Sequence, residues 1–381
     1  MDRTKKLIAE AFEDIADGIE KGSFKRRPRI GLTVYGSEHG AEEMIKAAQL
    51  AGSKYGDFDI VLIGPKVDCG FESVEVSSAE EGHKKMVSLL EEKKIDGCVT
   101  QHFDFPIGVS TVGRMAAPGS GRNMILSTTT GTMATNRVES MVKNSIAGIA
   151  VAKSIGIDNP TVGVLNVDGA RGTQRALVEL QNRGYGIDFA QSLRKNGEVL
   201  MRGNDLLSGT PDVMVCDSLT GNLLIKIFAA YTTGGNYETL GYGYGPGIGE
   251  NYDKLINIVS RASGAPLICE ALKYCAMCAE GKVLRAAKNE FQKAEAAGLE
   301  EILEKDRPSK AEEVDVKVPP REVVTYAIPG IDILELDNAC RVLWGKGIYS
   351  ESGMGCTGPV ILVNSQKGEK AVKILKEAGY K

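Results

Sequence analysis

Residues 29–52 read RIGLTVYGSEHGAEEMIKAAQLAG and carry the clearest structural pattern in the chain. The apolar run RIGLTVYG is typical of a strand, SEHG of a turn, and AEEMIKAAQLAG of a helix ended by glycine. A second apolar strand, FDIVLIG, follows at residues 58–64. Short, continuously apolar strands that alternate with helices indicate parallel sheets covered on both faces. We therefore predict an α/β protein.

The same alternation continues further along the chain. Later apolar strands are IDGCVTQH (95–102), NMILSTTT (123–130), TVGVLNV (161–167) and PDVMVC (211–216). A long helix is predicted from about Glu139 to Gly156, between the second and third of these strands. We expect a change of domain near this helix.

These patterns divide the chain into four predicted parts. They are an N-terminal helix at 1–28, an α/β domain at 29–140, a second α/β domain at 141–265, and a final segment at 266–381. The final segment contains a helix, a charged connector that ends in Pro319-Pro320, and strand and helix patterns. We expect this segment to return to the first domain.

Composition and charge exclude several classes of protein. Lys plus Arg (46) against Asp plus Glu (50) gives a net charge of -4, so no general attraction to nucleic acid or anionic membranes follows. No apolar run approaches the roughly 20 residues of a membrane-spanning helix. The N-terminal stretch has no signal-peptide pattern, and we expect the eight cysteines to be reduced thiols. We therefore expect a cytoplasmic protein without nucleic-acid or membrane partners.

The sequence indicates no cofactor. The glycine-rich stretch GYGYGPGIG (241–249) lacks the lysine and serine of a Walker motif and the strand–turn–helix frame of a dinucleotide motif. His39, His83 and His102 are too few and too separated to predict a metal cluster, although His39 lies in the first strand–helix turn and can face a ligand. We expect neither a metal ion nor another cofactor.

A candidate anion site follows the strand PDVMVC. Asp217 comes directly after it, and Thr220, Gly221 and Asn222 open the next helix. Open parallel sheets bind ligands beyond the carboxyl ends of their strands, where helix N-termini offer free N–H groups to anions. Gly221 would let a ligand approach the backbone, and Asn222 offers both a donor and an acceptor. The alternative is a helix cap that binds no ligand.

A second candidate pair, Ser260 and Arg261, follows the strand LINIV (255–259). A planar guanidinium matches the geometry of phosphate oxygens. A surface salt bridge explains the arginine equally well.

Together these motifs resemble the phosphate acyltransferase and phosphotransacetylase superfamily. The Thr-Gly-Asn helix start is similar to the DGFTGN-type motif of phosphate acyltransferases, and TVGVLNVDGARG (161–172) to their VGLLNIG segment. Gly245-Pro246 and Ser260-Arg261 resemble a glycine-proline turn and a Ser-Arg pair of phosphotransacetylases. The resemblance covers roughly residues 29–290. It implies two parallel-sheet α/β domains with the active cleft between them, and acyl transfer between a thioester and phosphate.

The end of the chain departs from both enzymes. GIYSESGMGCTGPVILVN (347–364) places Cys356 between glycines. Such a thiol is sterically open and close to N–H donors, which lower a thiol pKa and can stabilise the oxyanion of acyl transfer. An unreactive, packed thiol is the alternative.

The other cysteines are weaker candidates for a reactive thiol. Cys275 and Cys278 form a CxxC inside a helical pattern with no second pair, which favours core packing over zinc. Cys98 and Cys216 lie in strand patterns and are expected to be buried. Cys216, next to Asp217, ranks second as a nucleophile.

With this tail, the whole chain resembles the protein C alpha subunits of glycine, sarcosine and betaine reductases. The resemblance implies that acetyl phosphate is released from inorganic phosphate and an acetyl group delivered by selenoprotein A. It implies a beta-subunit partner related to ketoacyl synthase III, and we expect an oligomer. We match the reactive cysteine to Cys356, as an acetyl-cysteine intermediate. Two alternatives stay open: direct attack of phosphate on a coenzyme A or acyl-carrier thioester, and a non-catalytic docking subunit.

Overall fold

The computed structural model describes residues 26–67, 69–194, 199–306, 316–331, 335–355 and 358–380, together with Phe12 and Ile15. Most of the helix predicted at 1–28 lies outside these residues. Cys356 lies outside them too, and what we predict for it stays a prediction.

Strands and helices alternate through most of the chain, as the sequence pattern predicted. The strands are β1 (Arg29–Thr33), β2 (Asp59–Gly64), β3 (Glu72–Glu75), β4 (Gly97–Thr100), β5 (Val109–Ala116), β6 (Asn123–Thr132), β7 (Thr161–Leu165), β8 (Asp188–Phe189), β9 (Leu200–Met201), β10 (Val213–Val215), β11 (Gly245–Gly249), β12 (Ile256–Ile258), β13 (Tyr326–Pro329), β14 (Ser350–Gly355) and β15 (Gly358–Val363). The helices are α1 (Ala41–Lys54), α2 (Ala79–Glu91), α3 (Arg137–Ser154), α4 (Ala170–Asn182), α5 (Gly203–Ser208), α6 (Ser218–Ala230), α7 (Ala265–Glu280), α8 (Val283–Ala296), α9 (Leu299–Asp306), α10 (Leu336–Gly345) and α11 (Gly368–Glu377).

Within the described residues, β1 to β12 form one twelve-stranded sheet. Its order is β3-β2-β1-β4-β12-β11-β5-β6-β10-β7-β8, and β9 also pairs with β7. The first half, from β3 to β12, is parallel, and so is the second half, from β6 to β8. Strands β11 and β5 join them through three antiparallel pairings, so the two halves run in opposite directions. The predicted α/β class with parallel sheets is confirmed. The division at residue 140 stays a prediction, since one sheet runs through both halves.

In the first half of the sheet, the apolar strands β1 and β2, which begin the alternation of strands and helices in the sequence, pair with each other. Ile30 pairs in register with Ile60, and all of the pairs between β1 and β2 are parallel. Both side chains are buried, and full burial of such a side chain contributes about 1.5–3 kcal/mol. Helix α1 covers this half and contacts α7, where Lys54 Nζ lies 2.6 Å from Glu270 Oε1.

The second half is built around helix α3, which packs against β6 and β10. Most of its residues from Met141 to Ala152 are buried, as expected for a helix that is apolar on nearly every side. The contact is close at Gly148, where an added Cβ would lie 2.5 Å from Val213 Cγ1. This helix is the one predicted from about Glu139 to Gly156.

The end of the chain forms a smaller unit with its own core. Strands β13, β15 and β14 make an antiparallel sheet in that order, packed against α10 and α11. Arg175 on α4 lies 2.9 Å from Glu335, which ties this unit to the second half. No helix in the described part of the chain is long and apolar enough to cross a membrane.

Candidate functional site

A cavity of about 680 Å³ lies between the two halves of the sheet. The first half contributes loops that follow its strands: Glu38 after β1, residues 101–105 after β4, and residues 260–262 after β12. The opposite wall includes Thr130, Gly131, Asn222, Lys226, Asn236 and Tyr244.

Three of the residues predicted for the site line this cavity. Asn222 lies on α6, and its amide donates to the carbonyl oxygen of Thr129 at 3.2 Å. Ser260 is buried, while Arg261 is exposed in the same loop. The fold therefore brings Asn222 of one half and the Ser260-Arg261 pair of the other half to the same cavity.

Asp217 caps helix α6. Its carboxylate accepts from the backbone N–H groups of Leu219 and Thr220, both at 3.1 Å, and from the Thr220 hydroxyl at 2.6 Å. These bonds use two of the free N–H groups that an anion at the helix start would need. Asp217, Thr220 and Gly221 are not among the described residues that line the cavity, and their assignment to phosphate binding stays a prediction.

The backbone of β6, at Thr128, packs closely against Gly221 of helix α6. A Cβ added to Gly221 would lie 1.7 Å from the carbonyl oxygen of Thr128. We expect Gly221→Ala to lower the free energy of unfolding by about 3 kcal/mol or more, because backbone atoms cannot move aside as a flexible side chain can. Gly203→Ala on α5 is the matched control, since its Cβ would meet no atom within 4 Å.

Urea unfolding of the two variants tests this packing. The control should stay within about 1 kcal/mol of the unchanged protein. A Gly221→Ala protein as stable as the control would contradict the contact between α6 and β6.

Lys226 is a cavity residue that the sequence analysis missed. It follows Asn222 by four residues on α6, so both side chains lie on one face of the helix. Spacing alone could have indicated it once Asn222 was chosen. Lys226 and Arg261 are both exposed and present cationic side chains to one cavity from opposite walls.

The charge of the cavity is mixed. Glu38 and Asp104 also line it, and Asp104 lies 3.1 Å from the Nε2 atom of His102. His39 does not take part in the lining, and its Nε2 atom lies 3.1 Å from the Ala262 carbonyl oxygen. No group of three metal-ligating side chains that could hold a metal ion occurs among the described residues.

A buried carboxyl group, Glu238, lies behind the Ser-Arg loop. The hydroxyl of Ser263 donates to it at 3.0 Å, and only 5% of the residue is exposed. Burial raises the pKa of Glu238, and the hydrogen bond from Ser263 opposes this rise. Burial, together with the nearby carboxyl group of Glu238, likewise raises the pKa of Tyr244. No motif in the sequence indicated Glu238 or Tyr244.

The cysteines of the strands and of α7 are packed in the core, as predicted. Cys98, Cys216, Cys275 and Cys278 are all fully buried. Burial raises the pKa of the Cys216 thiol, whose sulfur lies 3.6 Å from the Thr128 carbonyl oxygen, so little thiolate forms there. Cys356, the favoured nucleophile, lies outside the described residues.

Comparisons with known proteins extend over the whole chain. The family model of fatty acid synthesis proteins matches residues 28–362. The glycine/sarcosine/betaine reductase complex component C subunit alpha of Peptoclostridium acidaminophilum is 56% identical over 382 residues, which cover 100% of this chain and 99% of that protein. The phosphate acyltransferase of Thermotoga petrophila is 30% identical over 237 residues, covering 52% of this chain and 67% of that enzyme.

A solved structure was also matched. The 4-hydroxythreonine-4-phosphate dehydrogenase from Burkholderia phymatum is 16% identical, with a TM-score of 0.37, and the match covers 71% of this chain and 99% of that one.

Proposed function

Because this chain belongs to the fatty acid synthesis protein family, and within it to the component C alpha subunits of glycine/sarcosine/betaine reductases, we propose that it transfers an acetyl group to inorganic phosphate. The product is acetyl phosphate. In this proposal the chain works as one subunit of a reductase complex, with a beta subunit as its partner and selenoprotein A as the donor of the acetyl group. The proposal combines the relative's name with the two cationic side chains, Lys226 and Arg261, that line the cavity.

The observation that carries the proposal is the pair of cations that face one cavity. Lys226 and Arg261 come from opposite walls, and Asn222 and Ser260 add hydrogen-bonding groups beside them. Phosphate must be held and oriented without losing its nucleophilic oxygen, which cations and neutral donors achieve together. A phosphate ion is much smaller than 680 Å³, so the cavity has space for an acyl donor as well.

In the proposed mechanism, the Cys356 thiolate attacks the carbonyl carbon of the incoming acetyl thioester or selenoester. The carrier leaves as its thiolate or selenolate, and the acetyl group remains on the Cys356 sulfur. A phosphate oxygen held in the cavity then attacks the same carbonyl carbon. The carbon–sulfur bond breaks, and acetyl phosphate and the free thiolate are formed.

A direct route is the second candidate. The phosphate acyltransferase relative, which matches 52% of this chain, supports attack of phosphate on a thioester without an acetyl-cysteine. The third possibility is a docking subunit, in which the beta subunit alone carries the acyl-accepting cysteine.

Isotope exchange tests the proposal. Labelled inorganic phosphate should exchange into acetyl phosphate in the presence of this chain, its beta subunit and the acetylated carrier. Exchange that needs the cavity residues but leaves no acetylated protein supports the direct route. Exchange that is unaffected by cavity substitutions in this chain would contradict its catalytic role and indicate a docking subunit.

A further inference from the structure

The loop that carries Arg261 is held by the turn between β1 and α1. The backbone N–H of Glu38 in this turn donates to the carbonyl oxygen of Arg261 at 2.9 Å. The next carbonyl oxygen, that of Ala262, accepts from the backbone N–H of Glu238 at 3.0 Å and lies 3.1 Å from the Nε2 atom of His39. Two successive carbonyl groups of the loop are therefore fixed by hydrogen bonds.

His39 supplies the side-chain bond among these. A carbonyl oxygen only accepts, so the Nε2 atom of His39 must carry a hydrogen. The rings of His39 and Tyr237 meet edge to face, with their centroids 5.0 Å apart. The Tyr237 hydroxyl donates to Glu43, which also accepts from the backbone N–H of Ala265 at 2.8 Å, at the start of α7. The imidazole thus packs against a tyrosine that is itself anchored.

The position of the Arg261 guanidinium depends on this loop. The side chain is exposed, and no side chain in the described part of the chain pairs with it. Its direction from the backbone is set by the adjoining peptide groups, one of which carries the carbonyl oxygen bonded to Glu38. The peptide group after that is the one bonded to His39. A binding group that is held in place loses less conformational entropy when an anion binds, which strengthens binding.

We propose that His39 is a positioning residue of the phosphate site, which holds Arg261 in place through its hydrogen bond to the Ala262 carbonyl oxygen. This inference rests on the proposed function and deepens it, because it adds to the site a residue that does not line the cavity. His39 touches no reacting atom, so loss of its Nε2–H should weaken phosphate binding and leave the chemical step unchanged. For one hydrogen bond we expect a loss of about three- to tenfold in phosphate affinity.

Two substitutions separate the hydrogen bond from the ring. His39→Phe keeps a ring beside Tyr237 but has no donor, while His39→Gln loses the ring and keeps an N–H donor. Titration calorimetry of the full chain with inorganic phosphate should show a Kd raised about three- to tenfold in His39→Phe and within about twofold of the unchanged protein in His39→Gln. A His39→Phe protein that binds phosphate normally, or a His39→Gln protein that binds as weakly as His39→Phe, overturns the inference.

A double-mutant cycle tests whether His39 acts through Arg261. In the complete complex, His39→Phe should raise KM for phosphate and leave kcat for acetyl phosphate formation within about twofold. In an Arg261→Ala background it should change kcat/KM by less than about twofold, because the group that it positions is absent. A loss of equal size in both backgrounds overturns the positioning role and indicates a general effect on the structure.

A spectroscopic measurement on the unchanged protein tests the hydrogen bond without any loss of folding. The chain has three histidines, so nuclear magnetic resonance of protein labelled with ¹⁵N at histidine gives few signals, and His39→Gln assigns the signal of His39. We expect the hydrogen on Nε2 at alkaline pH. A neutral His39 ring with its hydrogen on Nδ1 alone could not donate to Ala262 and would refute the inference.

The outcomes distinguish this inference from the proposed function. Phosphate binding that is weakened by both Arg261→Ala and His39→Phe, in a complex that forms no acetyl phosphate, supports the positioning role and refutes the proposed function. Acetyl phosphate formation that requires Arg261 but has an unchanged KM for phosphate in His39→Phe overturns the positioning role alone. If the unchanged protein neither binds phosphate nor forms acetyl phosphate, both are refuted.

Discussion

Replacing Cys356 with alanine should abolish the acetylated protein that accumulates when the acetylated carrier is supplied without phosphate. The acetyl-cysteine exists only if this sulfur is the nucleophile, so its removal leaves no atom to hold the group. Intact-protein mass spectrometry of the chain, with its beta subunit and carrier present, measures the loss directly. Acetyl phosphate formation should fall with it to the background level.

Cys69→Ala is the matched control for this experiment. Cys69 is only partly buried, which makes it the most accessible thiol among the cysteines that the structure describes. The control should be labelled as fully as the unchanged protein. A complex that contains the Cys356 variant and still forms acetyl phosphate at the full rate would refute the proposed nucleophile. A label found only on the beta subunit would assign the acyl-accepting cysteine to that partner.

Arg261→Ala should lower kcat/KM for phosphate by about 10²- to 10³-fold. Its guanidinium reaches the cavity from the loop after β12 and is the group whose planar geometry best fits phosphate oxygens. Arg261→Lys should recover part of the loss, because lysine restores the charge without the paired donors. Initial rates of acetyl phosphate formation over a range of phosphate concentrations give the effect.

Lys288→Ala tests whether loss of any surface cation lowers kcat/KM for phosphate as Arg261→Ala should. Lys288 is exposed on α8 and is not among the residues that line the cavity. We expect its rates to stay within about twofold of the unchanged protein, as for most surface substitutions. If Arg261→Ala behaves like Lys288→Ala, then Arg261 does not bind phosphate and the site must lie elsewhere.

The centre of the sheet is where sequence reasoning reached its limit. The sequence indicates only a glycine-rich stretch at GYGYGPGIG, whereas part of it forms strand β11, which joins the two halves. A Cβ at Gly247 would lie 2.4 Å from the ring of Phe105, so glycine is needed there to admit an aromatic side chain. Because that ring comes from a loop far away in the chain, no local pattern could predict the strand.

The residues of the candidate site could be predicted only in part, because some of them depend on contacts between distant parts of the chain. Asn222, Ser260 and Arg261 were chosen because their residue types follow strands, and all three line the cavity. Lys226 could have been added from helical spacing. The buried position of Glu238 could not be predicted, since its burial and its hydrogen bond from Ser263 depend on contacts that only the packed structure defines.

By itself, the sequence determined the α/β class, the positions of most strands and helices, and the burial of Cys98, Cys275 and Cys278, because these depend on the spacing of apolar residues over short stretches of chain. The tertiary structure decided that two parallel halves join in opposite directions, and that Lys226 and Arg261 line the same cavity. Those outcomes depend on pairings between distant strands, whose energy comes from contacts that no short segment makes alone.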